Sequence, residues 1–438
     1  MAGGIFTGQN KIRPGAYINF KSVAKPTGKV GARGISTIPL ILGWGPSDKL
    51  IEINSSDISD GKILNKIGYY GYETEVIPIK EALKNSYRCL AFRVDTNGQK
   101  ATATIEPLNV VAKYPGVVGN RISIIIKESN SKFEVRTLLD TKVVDSQIAT
   151  NVEELKGNEW VDFAGTGKLV ANAGIKLTSG SNGTESEENY SKYLELINNK
   201  IFNTMGVYTT NNSIKEKITS FIKQSREEKG KKVQAIINDY AANYEGIISV
   251  DQGYKTENEV VDVNGFVGYV TGLTAGAALN KSNTYSVIPG AIDIINPKTD
   301  TQIEEGIQKG KFIISFRQDE SVVVETDINT FTEFSVDKSR DFSKNRVIRT
   351  LDDINNSIKN MFEQTYLGKV DNNEAGRTSF KSDIISYLKE LNKLGAIEEF
   401  KNEDVTINQG QDIDSVLVDV GVKPIDAMEK LYMTVAVG

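Results

Sequence analysis

The chain has 438 residues, 39% apolar and 25% charged, with 57 acidic side chains against 52 basic ones. That length exceeds one hydrophobic core, so two or three domains are expected, and a net charge of −5 gives no reason to expect a nucleic-acid partner. Histidine is absent and Cys89 is the single cysteine, which excludes an imidazole base, a Ser-His or Cys-His pair, a histidine metal ligand, a cysteine-rich zinc site and an internal disulfide.

A Gly-rich lead from Met1 to Gln9 precedes a short alternating strand, Arg13-Pro14-Gly15-Ala16-Tyr17-Ile18-Asn19-Phe20-Lys21-Ser22. No signal peptide stands before it, and no apolar run reaches the roughly 20 residues of a bilayer span, so folding in a cytoplasm is expected. Ile38 to Leu42 reads as a buried strand closed by the turn Gly43-Trp44-Gly45-Pro46. Residues 87–94 give another, with Cys89 as a small buried hydrophobe.

From 96 to 180 the texture changes. Short β-prone runs alternate with turn residues: Thr102–Ile105, Arg121–Lys127, Lys132–Leu138, Lys142–Ile148 and Gly167–Leu177. This predicts a small all-β domain inserted into the main one. Gly165-Thr166-Gly167-Lys168-Leu169 fails as a phosphate loop, because Asp162 stands where the first glycine belongs and Leu169 replaces Ser/Thr. A turn is the better reading. No EF-hand-like acidic cluster occurs either.

From 181 the pattern is α/β. Tyr190, Leu194 and Ile197 mark a helix and Phe202–Tyr208 a strand. Ser213 and Glu216 have capping-box spacing and predict a helix start, with Ile214, Ile218, Phe221 and Ile222 as its stripe and Gly230 as its end. Val233–Ile237 completes a βαβ unit. Gly265, Gly268, Gly272 and Gly276 form a smooth stripe on the next helix, suited to close approach of another backbone; a phosphate-binding use has little support. Phe312–Phe316 and Ser321–Glu325 read as a hairpin. Two long helices follow. The first carries Val347, Leu351, Ile354, Ile358 and Met361; the second carries Phe380, Ile384, Tyr387, Leu388, Leu391 and Leu394, with Gly395 as its C-terminal cap. Residues 413–420 and 430–437 return to strand. Leu431, Met433, Val435 and Val437 share one face of the last strand, and Tyr432, Thr434 and Ala436 the other. Two readings stand for these β-prone ends: they tuck into the chain's own sheet, or they add strands to neighbouring subunits.

Several blocks resemble one known family. They are Arg13 to Phe20; Gly43-Trp44-Gly45-Pro46; Tyr114-Pro115-Gly116 with Gly119-Asn120-Arg121-Ile122; Asn280-Lys281-Ser282-Asn283-Thr284; Phe342-Ser343-Lys344-Asn345-Arg346-Val347; and Pro424 to Met433. Their order and spacing, from end to end, resemble the tail sheath proteins of contractile phage tails and phage-tail-like bacteriocins, closest to those of low-GC Gram-positive bacteria. The resemblance implies a structural subunit and not an enzyme, with no cofactor or metal. The implied fold is α/β: a subtilisin-like α/β core with an inserted all-β domain, a C-terminal α+β region and extended N- and C-terminal β arms. The corresponding divisions are 1–22 (arm), 23–95 (first part of the core), 96–180 (β insertion), 181–295 (subtilisin-like core), 296–420 (C-terminal α+β part) and 421–438 (arm).

The resemblance also implies partners. Copies of the chain would stack as hexameric rings, in a helical sheath around an inner tail tube protein, capped by baseplate and tail terminator proteins. The sheath would contract to drive the tube through a cell envelope, without nucleic-acid binding or membrane insertion. Such a particle, a phage tail or a released tailocin, is expected to assemble in the bacterial cytoplasm. The arms Ala16, Tyr17, Ile18, Asn19, Phe20 and Leu431, Tyr432, Met433, Thr434, Val435, Val437 would exchange strands between subunits. Lys344, Arg346 and Arg349, within a basic run that begins at Lys338 and Arg340, are the candidate tube contact. The alternative for that run is a surface paired locally with Asp337, Asp341, Asp352 and Asp353, and Lys381, Lys389 and Lys393 on the second helix are next in line. Competing readings of the whole chain are a tube or baseplate protein, or an α/β enzyme.

Overall fold

The computed structural model describes residues 33–437, preceded by the backbone of two short strands, Ala2–Gly4 and Gly15–Tyr17, which pair in parallel. Ile18, Asn19 and Phe20 of the predicted arm lie outside the described residues. The chain divides into a large compact unit, from residues 32–356, 394–398 and 423–438, and a small one that holds 357–393 and 399–422 together with 1–31.

The large unit is built on a six-stranded sheet. Its order is Ile247–Val250, Gln234–Asn238, Thr204–Val207, Ile35–Leu40, Arg88–Arg93 and Ile51–Asn54. The first five strands are parallel and the sixth is antiparallel. Parallel strands are covered on both faces, which is why these segments read as unbroken apolar runs. Ala235 and Ile237 point into one core, with Ile218 and Ile222 of the helix Asn212–Glu227 and Tyr193 of the helix Glu187–Asn198. Ile236 points into the opposite core, with Val267, Val270 and Phe312. The helix Asn212–Glu227 begins earlier than its capping-box spacing suggests. Asn211 is the cap, accepting the Ser213 N–H, while the Ser213 hydroxyl donates to Glu187 instead.

The glycine stripe does what its spacing predicts. Helix Val263–Gly276 lies against Ile77–Leu83 so closely that a Cβ on Gly268 would stand 2.1 Å from the Pro78 carbonyl oxygen, and one on Gly272 would stand 2.0 Å from that of Ala82. Each glycine costs a helix about 0.8–1.0 kcal/mol relative to alanine. The backbone contact offsets that cost.

The stretch after residue 96 is all β. One sheet runs Lys142–Ala149, Lys132–Leu139, Ile122–Ser129, Asn172–Lys176; the other runs Val161–Ala164, Leu108–Ala112, Thr102–Ile105. The strand expected over Gly167–Leu177 is shorter because Gly165 and Gly167 both sit at positive φ, in the loop that mimics a phosphate-binding sequence. Trp44 joins these sheets to the main one. It stacks on Trp160 at 5.2 Å and meets Tyr114 edge-on at 5.4 Å. Beneath it, fully buried Arg93 holds Asp95 through two hydrogen bonds and donates to the carbonyls of Gly45 and Pro115.

In the small unit, Phe380 of the helix Glu374–Leu394 packs on Tyr366 and Phe362, and a two-stranded hairpin pairs Val405–Gln409 with Val416–Val420. Gly395 takes the left-handed conformation expected of a cap. Within residues 413–420 only Val416–Val420 is strand, and its partner was not evident from the sequence. Residues 430–437 form no strand among the described residues.

The helix–helix contact gives a first test. Gly272→Ala raises intrinsic helix propensity but drives a methyl into the Ala82 carbonyl, so the substitution is expected to destabilise the fold by about 1–3 kcal/mol, as overpacking does. Urea unfolding measures it; an increase in stability would contradict the contact.

Candidate functional site

The loop Asn280 to Thr284, the start of the helix Asn345–Met361 and the segment Pro424 to Glu429 meet around Asp327. Asp327 is buried. One carboxylate oxygen accepts from the Asn345 side chain at 2.9 Å; the other accepts from the Asn283 N–H at 3.0 Å and from the Arg349 guanidinium at 3.4 Å. Arg349 donates as well to the Lys281 carbonyl at 2.6 Å. A buried charge needs a counter-charge and hydrogen bonds, and Asp327 has both.

The three candidate tube-contact residues lie within this arrangement. Arg349 is 0% exposed and Arg346 is 8% exposed. The first turns of their helix are enclosed on every side, where the apolar stripe had suggested one buried face. Arg346 donates to the Gly395 carbonyl at 3.3 Å, and burial together with Arg349 holds its guanidinium below the ordinary value. Lys344 is ion-paired with Glu429, each side chain only 16% exposed. None of the three presents a free charge. Two residues of the local-pairing alternative have more distant partners: Asp352 is bound bidentately by Arg226, at 2.6 and 2.8 Å, and Lys338 pairs with Glu245 at 2.8 Å. On the second helix Lys389 and Lys393 are exposed, and Lys381 is half-buried.

Glu429 also accepts the Thr284 hydroxyl at 2.8 Å, and that hydroxyl oxygen accepts the Asp327 N–H at 2.9 Å. Upstream, Ile425 donates its N–H to Ala396, and Glu398 donates to Lys423. Beyond Glu429 the support stops. Residues 430–437 are all exposed, Leu431, Tyr432 and Val437 by more than 80%, and none makes a hydrogen bond among the described residues. Thr284 and Glu429 lie inside blocks that carry the family resemblance, yet their side chains were not singled out. Asp327 lies in no block and no periodic segment, so no local signal marks it.

The buried pair supplies a second test. Arg349→Met leaves the Asp327 charge buried without its cation and is expected to cost about 3–5 kcal/mol in denaturant unfolding. Asp327→Asn in the same chain is expected to recover part of that loss; an unchanged midpoint for the single variant would contradict the pairing.

Comparison with known proteins bears on what this arrangement serves. Three family models match in succession: the phage tail sheath protein beta-sandwich domain over residues 96–182, the phage tail sheath protein central domain over 183–330, and the phage tail sheath C-terminal domain over 337–438. The phage-like element PBSX protein XkdK of Bacillus subtilis is 32% identical, with 100% of both chains covered. The crystal structure of a sheath tail protein from Desulfitobacterium hafniense superposes with a TM-score of 0.87 at 37% identity, covering 96% of this chain and 99% of that one. The helical sheath of the anti-feeding prophage, solved in its contracted state, shares the fold at 12% identity, with a TM-score of 0.60 over 97% of this chain and 98% of that one. The mixed α/β fold, the matched domains and the full-length relatives agree: the chain belongs to the phage tail sheath protein family, as a structural protein and not an enzyme.

Proposed function

We propose that the chain is the polymerising subunit of a contractile sheath, stacked as six-fold rings around an inner tube between a baseplate and a tail terminator. The observation that carries this reading is the segment 430–437, with alternating apolar side chains and every residue exposed. An extended segment of that kind is a strand awaiting a sheet. The hairpin Val405–Gln409/Val416–Val420 offers two unpaired edges in a two-stranded sheet, which alone is marginal in water. A neighbour's arm added to such an edge links subunits head to tail, and head-to-tail contacts that do not close build filaments. In this reading the arms are 1–22 and 421–438, with Ala16 to Phe20 and Leu431 to Val437 as the exchanged strands. The parallel sheet with helices on both faces is the subtilisin-like core, residues 96–180 are a peripheral insertion, and 296–420 supply the C-terminal α+β part. Assembly takes place in a bacterial cytoplasm, for a phage tail or a tailocin.

Contraction then needs no nucleotide. A kinetically trapped extended sheath releases its energy as interfaces improve, and interface couplings of about 1–3 kcal/mol per subunit suffice when summed along a tail. The tube contact moves to Lys389 and Lys393, four residues apart on one helix face, since screened surface charges can be released during a stroke.

Removing Leu431–Gly438 is expected to leave a folded subunit that builds no tubes, scored by negative-stain microscopy. Normal contracting sheaths from the truncated chain would overturn the arm reading. Lys389→Glu with Lys393→Glu is expected to leave subunits able to polymerise but unable to hold an extended sheath on the tube. Extended particles that contract on cue would remove this helix from the interface.

A further inference from the structure

Three of the blocks that carry the family resemblance, far apart in sequence, converge on one point in the large unit. Thr284 comes from the first, Lys344 from the second and Glu429 from the third. The Glu429 carboxylate receives the Lys344 ammonium and the Thr284 hydroxyl together. Thr284 is itself fixed from behind. Its hydroxyl accepts the Asp327 N–H, and the Asp327 carboxylate is locked by Asn283, Asn345 and Arg349. Tyr285, next in the chain, is held at φ +59°, a left-handed backbone that a bulky residue rarely adopts. Its N–H is tied to the Val324 carbonyl at 2.7 Å. The loop therefore presents Thr284 against local backbone preference, which requires that the surroundings hold it there.

The boundary at Glu429 is sharp. Before it, the chain is tied down through Pro424, which bridges to Ile397, and through Ile425. After it, seven consecutive residues from Leu431 are exposed and unbonded among the described residues. Met428, immediately before the clamp, is fully exposed, so packing of its own side chain does not hold the chain here.

We propose that Glu429, Lys344 and Thr284 form a latch that fixes where, and in which direction, the C-terminal segment leaves the body. Lys344, first read as a tube contact, is a positioning residue for the arm. The latch rests on the arm reading for its purpose but not for its existence. A strand that must find one edge on a neighbour searches less space when its root is pinned, because ordering each backbone residue costs about 1–2 kcal/mol. A charge-assisted pair in a partly shielded site is strong enough to hold the root and short enough in reach to leave the following residues free.

The isolated subunit tests the latch without any assembly. Cys89 is buried and its thiol is pushed up to about 12 by that burial, so a nitroxide reagent reaches only an introduced cysteine. With the label at Met428→Cys, a restricted spectrum is expected in the parent chain and with Lys344→Arg. A mobile spectrum is expected with Lys344→Met and with Glu429→Ala, and an intermediate one with Thr284→Val. Protease digestion gives a second reading. Cleavage after Glu429 by a glutamate-specific protease is expected to be about tenfold faster in Lys344→Met, the factor that follows from losing a hydrogen bond to a charged group. Identical label mobility and identical cleavage in the parent and Lys344→Met would overturn the latch, whatever the arm does. Lys344→Met subunits are also expected to build sheaths more slowly. A released tail with wild-type assembly would overturn the positioning role while leaving the arm reading intact. Tube formation without Leu431–Gly438 would overturn the arm reading and leave the latch as a local contact.

Discussion

A carboxylate taken out of water must be answered at every lone pair, and the architecture around Asp327 follows from that demand. Arg349 supplies the charge, and the remaining donors are Asn345, one turn earlier on the same helix, and the Asn283 N–H of a distant loop. Satisfying one buried side chain therefore fixes a loop against a helix. The backbone N–H of the same residue then orients Thr284, so the constraint is passed outward to Glu429 at the surface. Buried charge pairs add little net stability against an apolar replacement, but they tolerate only one geometry. If the C-terminal segment leaves the body as the proposed arm, one geometry is what matters.

The same preference for defined contact over bulk burial recurs elsewhere in the large unit. The glycine helix brings two backbones together without side chains between them, and a single methyl would disturb it. Arg93 and Asp95 lie fully buried beneath Trp44, where the β-rich stretch joins the sheet, and Arg93 donates to the carbonyls of Gly45 and Pro115 on either side of that junction. Close-packed interiors transmit displacement and do not absorb it. In the proposed assembly, a body built this way would move as a piece, with the adjustment left to segments that bury nothing, such as 430–437.

Much of this was legible in the sequence, and the failures have physical causes. Period-2 and period-3.6 patterns located the parallel strands, the long helices and the β-rich stretch, because side-chain direction follows directly from backbone geometry. The glycine stripe was readable because four glycines on one helix face have few uses other than close approach. The burial of Arg346 and Arg349 was not legible, for a related reason. Their spacing correctly put them off the stripe of Val347, Leu351 and Ile354, but position off one apolar face says nothing about what covers the other. Their partners, Asp327 and the carbonyls of Lys281 and Gly395, come from distant segments with no periodicity. The cap at Asn211 was missed because Ser213 has the better local spacing, and only the fold reveals that its hydroxyl is taken by Glu187.

The exposed segment was legible as a strand and is not a strand here, and the two facts are compatible. Alternation records which side chains will share a face once a sheet exists; it does not supply the sheet. A lone extended segment has no hydrogen-bond partners for its backbone and gains nothing from its apolar face until an edge is offered. Under the proposed arm reading, the sequence of Leu431 to Val437 encodes a contact whose other half lies off this chain's own sheets. Under the proposed latch and arm, the pinned root at Glu429 and the exposed residues after it would be two halves of one requirement: a joint that keeps its attachment while the bodies on either side change their relation.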